Sequence, residues 1–178
     1  MTSSLTVLDP TEAGAPSRNA ELVDLPPDLA GVRLGILDNG KPNSDRLLSL
    51  LADRFVHRGA ELYGTLHKPS IGRLAPVAML EELVSACDLI VTGVGDCAGC
   101  CSCSVQDGIA IERSGVPTVV IATTEFLTTA RISARAAGLP DYPFTVIDHP
   151  LGSLRPDQLA QRADSAMRQV LDRMATAG

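Results

Sequence analysis

A regular alternation of short apolar runs with longer segments of helical periodicity most constrains how this chain of 178 residues can fold. The apolar runs have the length of buried strands and lie at 31–37, 61–66, 88–94, 117–122 and 144–147. Apolar residues recur at helical spacing after Ser44, after Pro76 and over about 102–113, 125–137 and 156–175. Strands that alternate with helices of about ten to fifteen residues form βαβ units, which build a parallel sheet covered on both faces. We therefore predict a single doubly wound α/β domain with a parallel sheet of about five strands.

The predicted sheet places two unusual loops opposite each other. We expect a three-layer sandwich, flavodoxin- or Rossmann-like, with the strand order 2-1-3-4-5. In such a sheet, ligands bind beyond the carboxyl ends of the strands at the point where the strand order reverses, here between the first and third strands. The loops that follow these two strands are 38–43 and 95–103. Their residues are therefore the first candidates for a functional site.

The composition at the start of the chain differs from that of the rest. Residues 1–30 are rich in Pro, Ser, Ala and acidic residues, so we predict an N-terminal arm over 1–30 and the α/β domain over 31–178. The first residues lack the basic and apolar regions of a secretory signal, and no apolar run reaches the ~18 residues that cross a bilayer. We therefore expect a cytoplasmic protein without a membrane partner.

Charge and aromatic content argue against nucleic acid as a partner. The net charge is −6 and aromatic residues make up 3%, whereas nucleic-acid binding requires a basic surface or several exposed rings. The sequence also contains no GxGxxG or Walker-type phosphate loop, so a dinucleotide or nucleoside triphosphate is not indicated. We expect a small-molecule substrate, and either a homo-oligomer or a partner subunit that completes the cysteine loop.

Four of the five cysteines fall within seven residues, at Cys97, Cys100, Cys101 and Cys103. In a chain expected in the cytosol, such thiols are typical of reactive or metal-binding sites rather than of disulfides. Cys97 and Cys100 have CxxC spacing at a predicted strand-to-helix turn, and a helix N-terminus favours the thiolate form of a nearby cysteine. A second thiol three residues later can resolve a covalent adduct as a disulfide. Cys87, which stands apart on an apolar helix, is interpreted as a core residue.

Two alternatives to a reactive pair remain open. The clustered cysteines also suit small, partly buried positions at a tight turn. They further offer enough sulfur for zinc, copper, iron or an iron–sulfur cluster, although no second, separated pair of ligands exists. The Cys-x-x-Cys-Ser-Cys loop of nitrile hydratases matches only at Cys101-Ser102-Cys103, because its first cysteine would fall on Ala98. The sequence therefore requires no cofactor, and a metal ion held by Cys97, Cys100, Cys101 and Cys103 is the alternative hypothesis.

Polar residues near these loops complete the predicted site. His149 follows the fifth strand at the same edge of the sheet, so it is a candidate catalytic acid or base, or the partner of a thiolate. The candidates for substrate binding also have structural interpretations, because Asn and Asp shape turns and Glu125 suits the first turn of a helix. The candidates for substrate binding are Asn39, Lys41, Asn43, Asp96 and Glu125.

The chain resembles the UGSC family of proteins and selenoproteins. The resemblance centres on Gly95-Asp96-Cys97-Ala98-Gly99-Cys100, and in order along the chain it covers most of 31–155. On this match, Cys97 occupies the position of selenocysteine or cysteine, and Cys100 is its partner thiol. Cys101 and Cys103 stand where the family is expected to have Thr and an aromatic residue. The other matching stretches are 37–43, 104–108, 115–119, 124–126 and 149–152.

The resemblance implies a reactive role for Cys97. The family motif is similar to the Sec-x-x-Cys-Thr element of the selenoprotein of the glycine, sarcosine and betaine reductases, in which a selenolate attacks a substrate carbon and displaces an amine. We therefore expect a thiol-based oxidoreductase or lyase that uses Cys97, Cys100 and His149 on a small polar substrate.

Overall fold

In the computed structural model, which describes residues 22–177, five parallel strands form one sheet in the order β2-β1-β3-β4-β5. The sheet confirms the predicted α/β fold and its strand order. The strands are β1 (Arg33–Asp38), β2 (Glu61–His67), β3 (Leu89–Gly95), β4 (Thr118–Thr123) and β5 (Thr145–Ile147). The helices are α1 (Ser44–Val56), α2 (Val77–Ala86), α3 (Ala98–Arg113), α4 (Leu127–Ala136) and α5 (Pro156–Ala177), and a short 3-10 helix, Thr124–Phe126, precedes α4.

The apolar runs predicted as strands are buried because helices cover both faces of the sheet. Every residue of β3 and β4 is buried, as expected for central strands of a parallel sheet. On one face, α1 and α5 pack together over a core that includes Leu34, Leu51 and Val119. On the other face, α3 lies between α2 and α4, and Val105 and Ile109 pack against β4.

Helix α3 lies unusually close to the sheet at two glycines. A Cβ atom on Gly95 would lie 2.8 Å from the Sγ of Cys101, and one on Gly108 would lie 2.3 Å from Cγ2 of Val120. Because real Cβ atoms do not approach other atoms so closely, only glycine allows α3 to pack against β3 and β4 in this position.

The start of α3 differs from the sequence-based prediction. The helix begins at Ala98, one turn before the predicted start at Ser102, so the predicted loop 95–103 is shorter and Cys100, Cys101 and Cys103 lie on the helix. Glycine and cysteine are weak helix formers, and a thiol is not among the usual N-cap groups, which is why the pattern did not indicate this first turn.

Residues 22–30 form neither helix nor strand but pack on the domain. Leu25 and Leu29 are buried in the core shared by α1 and α5, and the backbone N–H of Val23 donates to Glu112 at 2.9 Å. Residues 1–21 of the predicted arm lie outside the described part of the chain. The boundary of the arm at residue 30 therefore stays a prediction. Within 22–177, no helix is long and apolar enough to cross a membrane.

Candidate functional site

The two loops predicted to face each other are joined at the carboxyl ends of β1 and β3. Asn39 links the first of these loops to the end of β3, because its backbone N–H donates to the carbonyl of Gly93 at 3.0 Å and its side-chain Nδ2 donates to the carbonyl of Val94 at 2.9 Å. Nδ2 also donates to Oγ of Ser104 on α3 at 3.0 Å. Asn39 is completely buried, so its side-chain donors hold the loop after β1 against the end of β3 and against α3.

Cys97 is the N-cap residue of α3. Its backbone is extended, its carbonyl accepts the N–H of Cys101 at 2.9 Å, and its Sγ accepts the N–H of Cys100 at 3.3 Å. The side chain is partly exposed at the carboxyl edge of the sheet. The N-terminal end of a helix of 16 residues favours negative charge at this position. The structure thus gives Cys97 both access to solvent and a donor for its sulfur.

Cys100 lies beneath Cys97 and differs from it in environment. Its thiol is completely buried, and it donates to the carbonyl of Cys97 at 3.3 Å and to that of Val94 at 3.6 Å. Burial and the contact with the Cys97 side chain raise the pKa of Cys100 to about 11, although the N–H of Asp96 and the charge of Lys41 act in the opposite direction. Cys100 therefore holds its proton at neutral pH.

The other two clustered cysteines do not join this pair. Cys101 packs in the apolar cluster of α3 and α4, where its thiol donates to the carbonyl of Phe126 at 3.5 Å and burial raises its pKa to about 12. Cys103 is partly exposed farther along α3. Among residues 22–177, no three His, Cys, Asp or Glu side chains are grouped so that they could hold a metal ion.

Asp96 links two cationic or potentially cationic side chains beside Cys97. Its carboxylate is almost fully buried, and Oδ1 lies 2.7 Å from Nδ1 of His149 and accepts the N–H of Leu151 at 3.3 Å. Oδ2 lies 3.7 Å from Nζ of Lys41. These contacts assemble three predicted site residues, from the loops after β1, β3 and β5, into one network.

His149 reaches this network from the end of β5. Nδ1 also lies 3.3 Å from Oγ1 of Thr123, which donates to the carbonyl of Gly95. The His149 ring lies 5.6 Å from the ring of Phe126, and its side chain is 31% exposed. Since Nδ1 is held by Asp96, Nε2 is the ring nitrogen left for chemistry.

The remaining predicted residues have different surroundings. Asn43 occupies the N-cap position of α1 with φ 68°, and its Nδ2 donates to three carbonyl groups of the loop that follows β5. It therefore joins two loops of the site rather than capping α1 with its side chain. Glu125 is exposed on the 3-10 helix after β4, and its role in substrate binding stays a prediction.

Several residues of this edge were not among the individual candidates for catalysis or substrate binding, although Thr123 was interpreted as a cap and Asp38 belongs to the candidate loop 38–43. Thr123 could have been identified as His149 was, because each is a polar residue at or just after the end of a buried strand. Asp38, at the end of β1, accepts the Nδ1–H of His67 at 2.9 Å and forms a second Asp–His pair. A completely buried ion pair joins Lys68, just after β2, to Asp107 on α3, where Asp107 is a lone charge on an apolar helix face.

Comparison with known proteins agrees with the resemblance inferred from the motif around Cys97. No curated protein and no solved structure matches the chain. The family model of the UGSC family matches residues 6–176, which is nearly the whole chain and includes all five strands and the four clustered cysteines. The chain belongs to the UGSC family.

Proposed function

We propose that the protein is a thiol-dependent enzyme in which Cys97 is the nucleophile and Cys100 the resolving thiol. One observation carries the proposal: a partly exposed sulfur at the N-terminus of α3 accepts the N–H of Cys100, whose own thiol lies buried directly beneath it. In this arrangement, the Cys97 thiolate can attack a substrate, and the buried Cys100 thiol lies close enough to act on the resulting adduct.

The unequal environments of the two thiols support this division of roles. The helix N-terminus favours negative charge beside the Cys97 sulfur, whereas burial keeps the proton on Cys100, whose pKa is about 11 even though the charge of Lys41 lowers it. Cys97 is therefore the thiol available to attack at neutral pH. Cys100 acts only after an adduct has formed on Cys97, when attack by Cys100 releases a good leaving group.

Asp96 has two effects on the proposed chemistry: it disfavours the thiolate of Cys97, and it positions Lys41 and His149 beside that thiol. Its carboxylate directly precedes Cys97, and negative charge there disfavours a thiolate, but Lys41 and His149 both contact it. The network thus offsets the carboxylate charge and fixes the ring of His149. In the proposed reaction, Nε2 of His149 takes the thiol proton of Cys97 and gives it to the leaving group.

The proposed reaction is a reductive cleavage. The Cys97 thiolate attacks the electrophilic atom of a small polar substrate R–X, so that an S–R bond forms and X leaves with the electron pair of the R–X bond. Cys100 then attacks Cys97 Sγ, R leaves with the S–R electrons and takes up a proton, and a Cys97–Cys100 disulfide remains. The substrate gains two electrons and two protons from the two thiols, and an external dithiol reduces the disulfide. The second step requires an R group that stabilises negative charge.

The similarity of the Cys97–Cys100 stretch to the Sec-x-x-Cys-Thr element of the reductase selenoproteins supports a substrate with a displaceable polar group. The alternative of a metal held by the clustered thiols has less support. Cys101 is turned into the apolar cluster of α3 and α4, where its thiol donates to the carbonyl of Phe126 rather than facing the other clustered thiols.

The proposal is tested with Cys97→Ser and the matched control Cys103→Ser, since both thiols are partly exposed and only one belongs to the pair. In anaerobically purified wild-type protein, we expect one thiol to react rapidly with iodoacetamide at neutral pH and to map to Cys97. Mild oxidation is expected to link Cys97 to Cys100, as read from peptide masses. Cys97→Ser should remove both properties, and Cys103→Ser should keep both.

Two results would contradict the proposal. One is a disulfide or fast-reacting thiol that survives in Cys97→Ser. The other is a native mass with one metal ion per chain together with protection of all four clustered thiols, which would favour the metal hypothesis instead.

A further inference from the structure

Asn39 is a predicted substrate-binding residue whose side chain is fully engaged inside the protein. Both N–H groups of its amide are donated, one to the carbonyl of Val94 and one to Oγ of Ser104. Its Oδ1 accepts the backbone N–H of Lys41 at 3.1 Å. Because the residue is completely buried and both amide donors are used, these contacts favour a role inside the site rather than contact with a substrate.

The carbonyl of Val94 is the point at which Asn39 comes close to the resolving thiol. Besides Nδ2 of Asn39 at 2.9 Å, this carbonyl accepts the backbone N–H of Asp96 at 3.0 Å. The thiol of Cys100 also donates to it, at 3.6 Å. A carbonyl oxygen has two lone pairs, so three donors compete for two acceptor positions.

The N–H of Asp96 has a second acceptor, the sulfur of Cys100. Burial raises the pKa of Cys100, and the hydrogen bond from this N–H acts in the opposite direction. One N–H group cannot serve a carbonyl and a thiolate equally well. How far it turns to the sulfur therefore depends on how well other donors satisfy the Val94 carbonyl.

We propose that Asn39 is a positioning residue for the resolving thiol. By donating to the Val94 carbonyl, it leaves the N–H of Asp96 free to stabilise the sulfur of Cys100 as that sulfur becomes an anion. The inference rests on the proposed function, since it concerns the step in which Cys100 attacks the adduct on Cys97. Without the Asn39 donor, the carbonyl would retain the Asp96 N–H and turn its negative end toward the forming thiolate.

The charged and titratable groups around Cys100 give the N–H of Asp96 this importance. On α3, Cys100 faces Cys97, which is uncharged once it carries an adduct, and Cys101, which is buried and protonated. From the loop after β1, the charge of Lys41 favours a thiolate, but its ammonium lies beside the carboxylate of Asp96. The N–H of Asp96 donates to the sulfur directly.

The test follows both thiols with the chromogenic disulfide dithiobis(nitrobenzoate), in a Cys103→Ser background that removes the other partly exposed cysteine. The Cys97 thiolate attacks the disulfide of the probe, so a mixed disulfide forms and one thionitrobenzoate anion leaves. Cys100 then loses its proton to solvent and attacks Cys97 Sγ, so the Cys97–Cys100 disulfide forms and a second thionitrobenzoate anion leaves. The parent protein should therefore release thionitrobenzoate in two phases, one for each thiol.

Asn39→Ala should slow the second phase by about fivefold and leave the first within about twofold, because less Cys100 thiolate forms and its greater nucleophilicity offsets only part of the loss. The pH profile of the second phase should also move to higher pH, which a purely structural role would not produce. Ser104→Ala is the matched control: it removes the other acceptor of the same amide and keeps the bond to Val94, so both phases should match the parent.

Asn39→Asp gives a second readout if Asn39→Ala does not fold. It keeps the acceptor for the N–H of Lys41 but presents an oxygen to the Val94 carbonyl, so the second phase should slow at least as much. Parent kinetics in the Asn39 variants, equal slowing of both phases, or equal slowing of the second phase by Ser104→Ala would overturn the proposal. A parent that releases only one equivalent would overturn the resolving role of Cys100 itself, and this proposal with it.

Discussion

Two Asp–His pairs occupy the same edge of the sheet and invite comparison. In one, His149 Nδ1 lies 2.7 Å from Asp96, and in the other, His67 Nδ1 lies 2.9 Å from Asp38. Both carboxylates are almost fully buried at or just beyond the carboxyl end of a strand, and both imidazoles reach solvent. By geometry alone, either pair resembles part of a catalytic site.

The two pairs differ in the other groups that each carboxylate contacts. Asp38 also accepts the hydroxyl of Ser44 and the N–H of Gly40, so it closes the turn between β1 and α1. Asp96 instead contacts the ammonium of Lys41, and it directly precedes the thiol of Cys97. The comparison teaches that an Asp–His pair indicates function when the carboxylate also contacts a charged group beside a nucleophile, as Asp96 does, and not when it closes a local turn, as Asp38 does.

The largest expected difference is in stability. Asp38→Ala should lower the free energy of unfolding by about 3 kcal/mol, because it leaves a buried hydroxyl and a backbone N–H without an acceptor. Asp96→Ala should cost less, about 2 kcal/mol, since Lys41 and His149 can turn to water and only the buried N–H of Leu151 loses its acceptor. Urea unfolding of both variants gives the two values. Equal losses would remove the distinction between a turn-forming and a site carboxylate.

The histidines should differ in their effect on Cys97. His149→Asn leaves the carboxylate of Asp96 less compensated beside the thiol, so alkylation of Cys97 at neutral pH should slow by roughly tenfold. His67→Asn, the matched control at the other pair, should leave that rate unchanged. The rates are read from iodoacetamide labelling followed by peptide masses. A slower rate in His67→Asn would show that the two pairs act together.

Asn43 joins the loop after β1, which holds Asp38, to the loop after β5, which holds His149. Substitutions at Asn43 therefore test what this connection between the two Asp–His pairs contributes to stability. Asn43→Gly keeps the left-handed backbone but loses the hydrogen bonds to three carbonyl groups, at a cost of about 1 kcal/mol. Asn43→Ala also strains the backbone at φ 68° and should cost about 2 kcal/mol. Thermal unfolding compares the two. If both cost the same, backbone conformation contributes nothing at this position.

The smallest expected effect is on the number of thiols that react as pH rises. A thiol stays protonated below its pKa, and the pKa values of Cys87, Cys100 and Cys101 lie at about 11, 11 and 12. From pH 7 to pH 9, labelling should therefore stay confined to Cys97 and Cys103. Additional labelled cysteines in a protein that still has its native circular dichroism spectrum would contradict the burial of these three.

Sequence periodicity predicted all five strands and five helices, because buried strands and amphipathic helices leave local patterns of apolar residues. It missed the first turn of α3, where Gly99 and the cysteines have little helical preference and tertiary packing of Gly95 against Cys101 holds the turn. The clustered thiols and His149 were identified from their positions after strands. Their partners were harder to identify, since Asn39 and Asn43 look like ordinary turn residues until the loops meet.

By itself, the sequence determined the parallel sheet, the family and the edge at which polar residues gather, because these depend on local periodicity and on a contiguous motif. Only the tertiary structure decided that Cys97 is partly exposed while Cys100 is buried, and that Asp96 joins Lys41 to His149. These contacts span residues far apart in the chain. Their strength depends on burial, and burial is a property of the packed molecule rather than of any segment of it.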